Sequence, residues 1–239
     1  MKIRIKFSKD GSMRFIGHLD TMRYFQKAMR RADIDIAYST GFSPHQIMSF
    51  AAPLGVGITS EGEYLDIEVH STRSTADSLA ALNDTMVEGF AVRDYRRLPD
   101  DAKTAMSIVS CADYELTFRK GYECELSLQA LREGLHAFYE VPEVISVIKK
   151  TKKSEKTINL KQLVYDFQVL ADEGNVKFLL KLSTGSTDNL KPELLMEHYY
   201  RFLGLELKEF TFQVHRVDVY TGNRDNGFLS LNDMGTVIL

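Results

Sequence analysis

Apolar and polar side chains alternate along residues 2–8. Ile3, Ile5 and Phe7 take one side and Lys2, Arg4 and Lys6 the other, the period-two pattern of a half-buried strand. The period lengthens to that of a helix over residues 19–32. There Leu19, Met22, Phe25, Met29 and Ala32 form a stripe, and Arg23, Lys27, Arg30 and Arg31 fill the other faces. Residues 36–60 hold no Asp, Glu, Lys or Arg, but Gly41, Pro44, Pro53, Gly55 and Gly57 break the stretch into a loop and a short strand, not a membrane span. Alternation returns over residues 63–69, with Leu65, Ile67 and Val69 inward and Tyr64, Asp66 and Glu68 outward. A helix over residues 71–89, carried by Leu79, Leu82 and Met86, leads to a closing strand over 90–98.

This β-α-β-β-α-β order is that of a ferredoxin-like unit. After a linker at 99–110 the order recurs. A strand at 114–118 precedes a helix at 126–139 carrying Leu128, Leu131, Leu135 and Phe138. Strands follow at 144–149 and 176–182, then a helix at 193–203 with Pro192 in its first turn and Gly204 as its stop, then a strand at 210–220. Residues 149–172 are an insertion that opens on a lysine run and continues into an apolar stretch at 160–170. The expectation is an α+β protein of two tandem ferredoxin-like modules with antiparallel sheets. They occupy residues 1–98 and 111–221, and a mobile or partner-borne tail follows at 222–239.

Composition narrows the chemistry. The 239 residues suffice for a substantial core, and a net charge of −3 gives no global pull on nucleic acid, so any basic surface must be local. Cys111 and Cys124 are too few and too widely spaced for a zinc ribbon or a disulfide framework, which fits a reducing cytoplasm. No spacing calls for a metal or a cofactor, and the charged, alternating N-terminus is no signal peptide.

The remaining motifs carry a resemblance. Arg14-Phe15-Ile16-Gly17-His18-Leu19-Asp20, Arg30-Arg31, residues 38–45 and residues 49–66 resemble the radical-SAM-linked domain family. These are bacterial proteins of unassigned activity, often fused to or encoded beside a radical S-adenosylmethionine protein. The likeness extends over residues 1–221, with Lys149–Lys153 and Ile158-Asn159-Leu160 echoing the family's second half. The sequence lacks the Cys-x₃-Cys-x₂-Cys cluster motif, so the resemblance implies a linked domain on its own chain, without radical chemistry. It departs from the family after His45, where Gln46 and Ile47 stand in place of Pro and a basic residue. The tandem order is also similar to CRISPR repeat-associated RNA-processing proteins.

Three readings follow. In the first, the chain is an RNA-binding adaptor that presents a structured RNA, tRNA or rRNA, to a radical SAM partner. Arg14, Arg23, Arg30, Arg31, Lys149, Lys150, Lys152 and Lys153 would dock phosphates, and the loop of Gly41, Phe42, Ser43 and His45 would close on the backbone, near Glu63 and Asp66. Lys2, Arg4, Lys6, Arg93, Arg96 and Arg97 with Tyr95 would add a basic sheet face. In the second, His18 and His45 act as base and acid of a metal-independent ribonuclease. In the third, the same surface is a scaffold for the partner protein. Each signal also has a structural explanation: a solvated helix face, a turn set by Gly41 and Pro44, and Asp66 and Glu68 neutralising Arg4 and Lys6 across strands.

Overall fold

The computed structural model describes residues 1–122, 124–140, 146–150, 155–186 and 188–239. They fall into two compact units, residues 1–111 with 216–239, and residues 112–215.

In the first unit, β1 (Lys2–Lys9) leads through a 3-10 turn at Gly11–Phe15 into α1 (His18–Arg31). A loop then reaches β2 (Met48–Phe50), β3 (Thr59–Glu68), α2 (Thr75–Asn83), β4 (Phe90–Arg97) and the short α3 (Ala105–Ile108). β1 lies between β3 and β4, antiparallel to both, with Ile3, Ile5 and Phe7 opposite Ile67, Leu65 and Glu63. Those apolar residues form the core with Phe25, Met29, Ala32, Leu82, Phe90, Val92 and Tyr95. Phe7, Phe25, Phe50 and Phe90 pack in tilted and edge-on pairs 4.6–6.3 Å apart, an arrangement that aromatic quadrupoles favour.

The buried residues of α1 are Thr21, Phe25, Ala28 and Met29, so Leu19, expected on the inner stripe, is exposed. Asp20 in its first turn and Arg30 and Arg31 in its last complement the helix dipole. A Schellman arrangement ends it. The Ile34 amide donates to Met29 O (3.0 Å) and the Asp33 amide to Arg30 O (3.4 Å), with Asp33 at φ 53°.

The second unit contains β5 (Cys111–Phe118), α4 (Leu128–Glu140), the hairpin β6 (Ser146–Lys150) and β7 (Glu155–Asn159), and α5 (Leu160–Leu163). Then come β8 (Val164–Asp172), β9 (Asn175–Ser183), α6 (Pro192–Phe202) and the start of β10 (Phe212–Asn223). Glu173 and Gly174, both at positive φ, make the two-residue β8–β9 turn, as right-handed strand twist requires. Phe138, Phe167 and Phe178 surround Tyr199 at 5.2–6.4 Å. Burial raises the Tyr199 hydroxyl above its ordinary pKa, and it donates to Leu131 O.

The expected pair of ferredoxin-like modules is overturned. One nine-stranded sheet has the order β4-β1-β3-β10-β5-β9-β8, with β2 also on β3 and β11 (Gly227–Ser230) on β10. β6 and β7 form a sheet of their own. The physical reason is strand length. Ten-residue β3 pairs with β2 through Leu65–Ile67 and retains edge for β10, and twelve-residue β10 continues past the point where it would close a second sheet. The apolar stretch at 160–170, expected to be an insertion, is mostly the sheet strand β8.

The tail is also built into the first unit. β11 pairs with β10, a 3-10 turn follows at Leu231–Met234, Thr236 bridges Arg97, and the Ile238 amide donates to Thr75 Oγ1 (2.9 Å). This covers the face expected to be an open basic platform. Arg4 is 1% exposed, bound to Asp66 (2.8 and 2.9 Å) and donating to Leu231 O (3.1 Å). Lys6 pairs with Asp218 (3.3 Å) and Arg96 with Asp94 (2.6 Å), while Tyr95 lies in the core.

Candidate nucleic-acid interface

With Arg4, Lys6 and Arg96 committed, Arg93 and Arg97 stay exposed on the edge strand β4, and α1 presents a run of four exposed cations. Arg23, Lys27 and Arg31 follow at four-residue intervals, with Arg30 three residues after Lys27, and all four are exposed. Arg23 has a weak surface partner in Asp20 (3.3 Å). Arg30 donates through Nε to Gln26 O (3.3 Å), leaving its terminal nitrogens without a partner among the described residues. Arg14 lies on the 3-10 turn with its guanidinium 4.8 Å over the Phe15 ring.

The charge-free loop is a short hairpin standing beside this helix. The Ile47 amide donates to Ala37 O (2.9 Å), the Ser39 amide to His45 O (2.8 Å), and Tyr38 bridges Gln46. Gln46 Nε2 fastens the base of the hairpin to α1 through Gln26 O (3.3 Å). The turn needs Gly41, at φ 115°. Gly41, Phe42, Ser43 and His45 are all exposed, and Phe42 at the tip has its whole side chain in solvent. Folding spends no apolar burial on Phe42, so nothing in the core explains an aromatic there.

The two histidines have different surroundings. His45 Nδ1 shares a hydrogen bond with Ser39 Oγ (2.8 Å) on the exposed hairpin. His18 is the first residue of α1, packed edge-on to Phe50 (5.2 Å), and lines a cleft of only about 10 Å³ with Lys9, Thr21, Pro53, Leu54 and Glu63. The two rings share no contact.

Glu63 and Asp66 belong to structural ion pairs. Glu63 is 5% exposed and bound by Arg216, which reaches it with Nε (2.7 Å) and Nη2 and also donates to Ala52 O (2.7 Å). Beside them Lys9 is 2% exposed and donates to Ile16 O (2.7 Å). Burial holds its amine below the ordinary lysine range, with Glu63 opposing and Arg216 adding to the shift. Asp66 accepts from Arg4 and from the Ala105 amide (2.6 Å).

Lys149 and Lys150 fall on β6, opposite Lys156 and Glu155, whereas Lys152 and Lys153 lie outside the described residues. Among the described residues no three His, Cys, Asp or Glu side chains gather as they would around a metal ion, and no helix is long and apolar enough to cross a membrane.

Sequence reasoning missed a depression of about 600 Å³ at the C-terminal end of α1, lined by Arg30, Asp33, Asp35, Tyr38 and Arg73 among others. Its signal was the pair of carboxylates, Asp33 and Asp35, directly after the basic helix, both of which line the depression.

A comparison with curated proteins returned no match. Among solved structures, the chain is similar to one described as "Crystal Structure of a Cbf5-Nop10-Gar1 Complex", with 11% identity and a TM-score of 0.47. That match covers 91% of this chain and 48% of the other, so the chain spans about half the length of its neighbour. It is also similar to "Crystal Structure of an Unknown Protein from Galdieria sulphuraria", at 12% identity and a TM-score of 0.23 over 91% and 97% of the two chains. At those scores neither likeness bears on what the site does. Residues 2–192 match the family described as "Uncharacterized protein conserved in bacteria (DUF2344)", and the chain belongs to that family.

Proposed function

We propose that the protein binds structured RNA, docking phosphates on the exposed face of α1 and stacking an unpaired base on Phe42 of the adjacent hairpin. The observation that carries this reading is the segregation of charge in the first unit. Arg4, Lys6, Arg96 and Arg216 are each neutralised by a carboxylate, while Arg23, Lys27, Arg30 and Arg31 stay exposed with one surface counter-charge, Asp20, among the described residues. A basic stripe beside a solvent-facing aromatic suits a nucleic acid backbone with splayed bases. A net charge of −3 over the whole chain confines the attraction to that stripe.

The finer reading is an adaptor role, in which the bound RNA is presented to a radical SAM protein. Phe15, Leu19 and Val56 support it, exposed at 60, 60 and 63%. Phe15 ends the 3-10 turn and Leu19 lies in the first turn of α1, and the Gly57 amide donates to Arg14 O (2.8 Å), which brings Val56 beside the same turn. That is an apolar patch for a protein, next to a basic stripe for RNA.

A filter-binding titration of folded tRNA and rRNA fragments tests the RNA reading. Retention at low salt that falls steeply as salt rises is the expected result. Absence of retention at low salt defeats it.

A further inference from the structure

We propose that the depression at the C-terminal end of α1 takes one unstacked guanosine nucleotide. The proposal rests on the RNA-binding reading and names the base which that reading leaves open.

The depression, about 600 Å³, is large enough for a mononucleotide and carries the three kinds of group that one requires. Tyr38, 48% exposed, offers a ring face, and Ile34 and Ile36 supply apolar surface beside it. Arg30 brings two uncommitted terminal nitrogens for a phosphate, continuous with the basic stripe of α1. Arg73 is anchored through Nη2 alone, to Asp33 O (3.1 Å) and Ala32 O (3.5 Å), so it is held at the rim by the last carbonyls of the helix.

The carboxylates choose the base. Asp33 has a side chain 98% exposed and a loose contact to Arg73 (3.4 Å), and Asp35 accepts from Ser71 Oγ (2.7 Å). An ionised carboxylate only accepts hydrogen bonds. Of the four RNA bases, guanine alone presents two adjacent N–H donors, N1–H and the 2-amino group, with no acceptor between them. The Watson–Crick edges of adenine and cytosine set a ring acceptor beside the amine, and uracil flanks its single N–H with carbonyls.

Asp33 is also the position at which the carboxylate can be removed with least disturbance. It occupies the left-handed position that ends α1, at φ 53°, where glycine is the residue without strain. Its side chain is almost wholly in solvent and adds little to packing, so replacing it removes the carboxylate without opening a cavity.

Equilibrium dialysis of the full chain against GMP, AMP, CMP and UMP tests the proposal. GMP is expected to bind at least about tenfold tighter than the other three. Asp33→Gly, which relieves the strained backbone and therefore folds, and Asp35→Asn are each expected to cut that preference at least about fivefold. Tyr38→Ala should weaken all four nucleotides together. Equal binding of the four, or a guanine preference that survives both carboxylate variants, overturns the proposal.

Uracil octamers with and without one central guanine separate this outcome from the RNA reading. If both are retained equally, the guanine site is wrong and RNA binding stands. If GMP is selected but neither octamer nor any folded RNA is retained, the site holds for a free nucleotide and the RNA reading fails.

Discussion

Glu63 of β3 and Arg216 of β10, 153 positions apart, form a buried ion pair on the helix-covered face of the sheet. Two ions this deeply buried contribute little net stability as a pair, but losing Glu63 strands Arg216 beside the buried Lys9 amine, and losing Arg216 leaves Glu63 only Lys9, which is committed to Ile16 O. Glu63→Ala is expected to cost about 3–5 kcal/mol in urea denaturation, and Arg216→Ala about the same. Replacing both, as Glu63→Leu with Arg216→Met, should recover most of that loss. A single variant as stable as the parent would show that the pair is open to water.

Gly62, next to this pair, has no space for a side chain. A Cβ there would lie 2.4 Å from Val217 O and 2.5 Å from Asp218 Cα, both backbone atoms of β10 that no rotamer change can move aside. Gly62→Ala should therefore separate β3 from β10 and lower stability by more than about 3 kcal/mol, measured by thermal or urea unfolding.

The basic stripe makes the opposite prediction. Arg23→Glu, Lys27→Glu and Arg31→Glu combined should change the unfolding midpoint little, because all three side chains are exposed. RNA retention should be lost at moderate salt, with the log–log salt slope shallower by about 2 if each cation meets one phosphate. Phe42→Ala should leave stability unchanged and weaken RNA binding about tenfold with little change in that slope. Measuring both variants at several salt concentrations separates charge from stacking.

Acid sensitivity should have an identifiable contributor in Asp94. Burial acts to raise its pKa, but hydrogen bonds from Asn232 (2.8 Å), Arg96 (2.6 Å) and the Tyr95 amide (2.8 Å) outweigh it, so the carboxyl sits below the ordinary carboxylate range. A depressed folded-state pKa gives stability that is full above the unfolded value of about 4 and is lost as pH falls through the folded value. Asp94→Asn should therefore be less stable than the parent at neutral pH, with the gap closing below about pH 4 in urea midpoints taken across the range. A gap that persists unchanged into acid would rule out the carboxylate charge as its source.

Much of the local structure could be read directly from the sequence. The alternation that put Leu65 and Ile67 inward extends to Glu63, which the sequence reading instead places on the binding surface. The Arg4–Asp66 cross-strand pair was anticipated from strand neighbours alone. Arg216 was not, because nothing local specifies which distant strand adds to a sheet edge. The same blindness to long-range pairing produced the expectation of two separate sheets. Leu19 misled for a different reason. Thr21 and Ala28 share the buried face of α1 with Phe25 and Met29, so the true inner face is less hydrophobic than the stripe read by hydropathy. The depression went unseen because Arg30 and Arg73 meet there only once the chain has turned twice.

The first unit is discontinuous along the chain, and this has a consequence for a protein made from its N-terminus on the ribosome. When residue 111 has left the exit tunnel, Arg4 still lacks Leu231 O and Glu63 still lacks Arg216. The nascent N-terminal segment holds half-finished electrostatics until residues 216–239 have been added. Completion of the first unit is thereby deferred until residues 216–239 have been made.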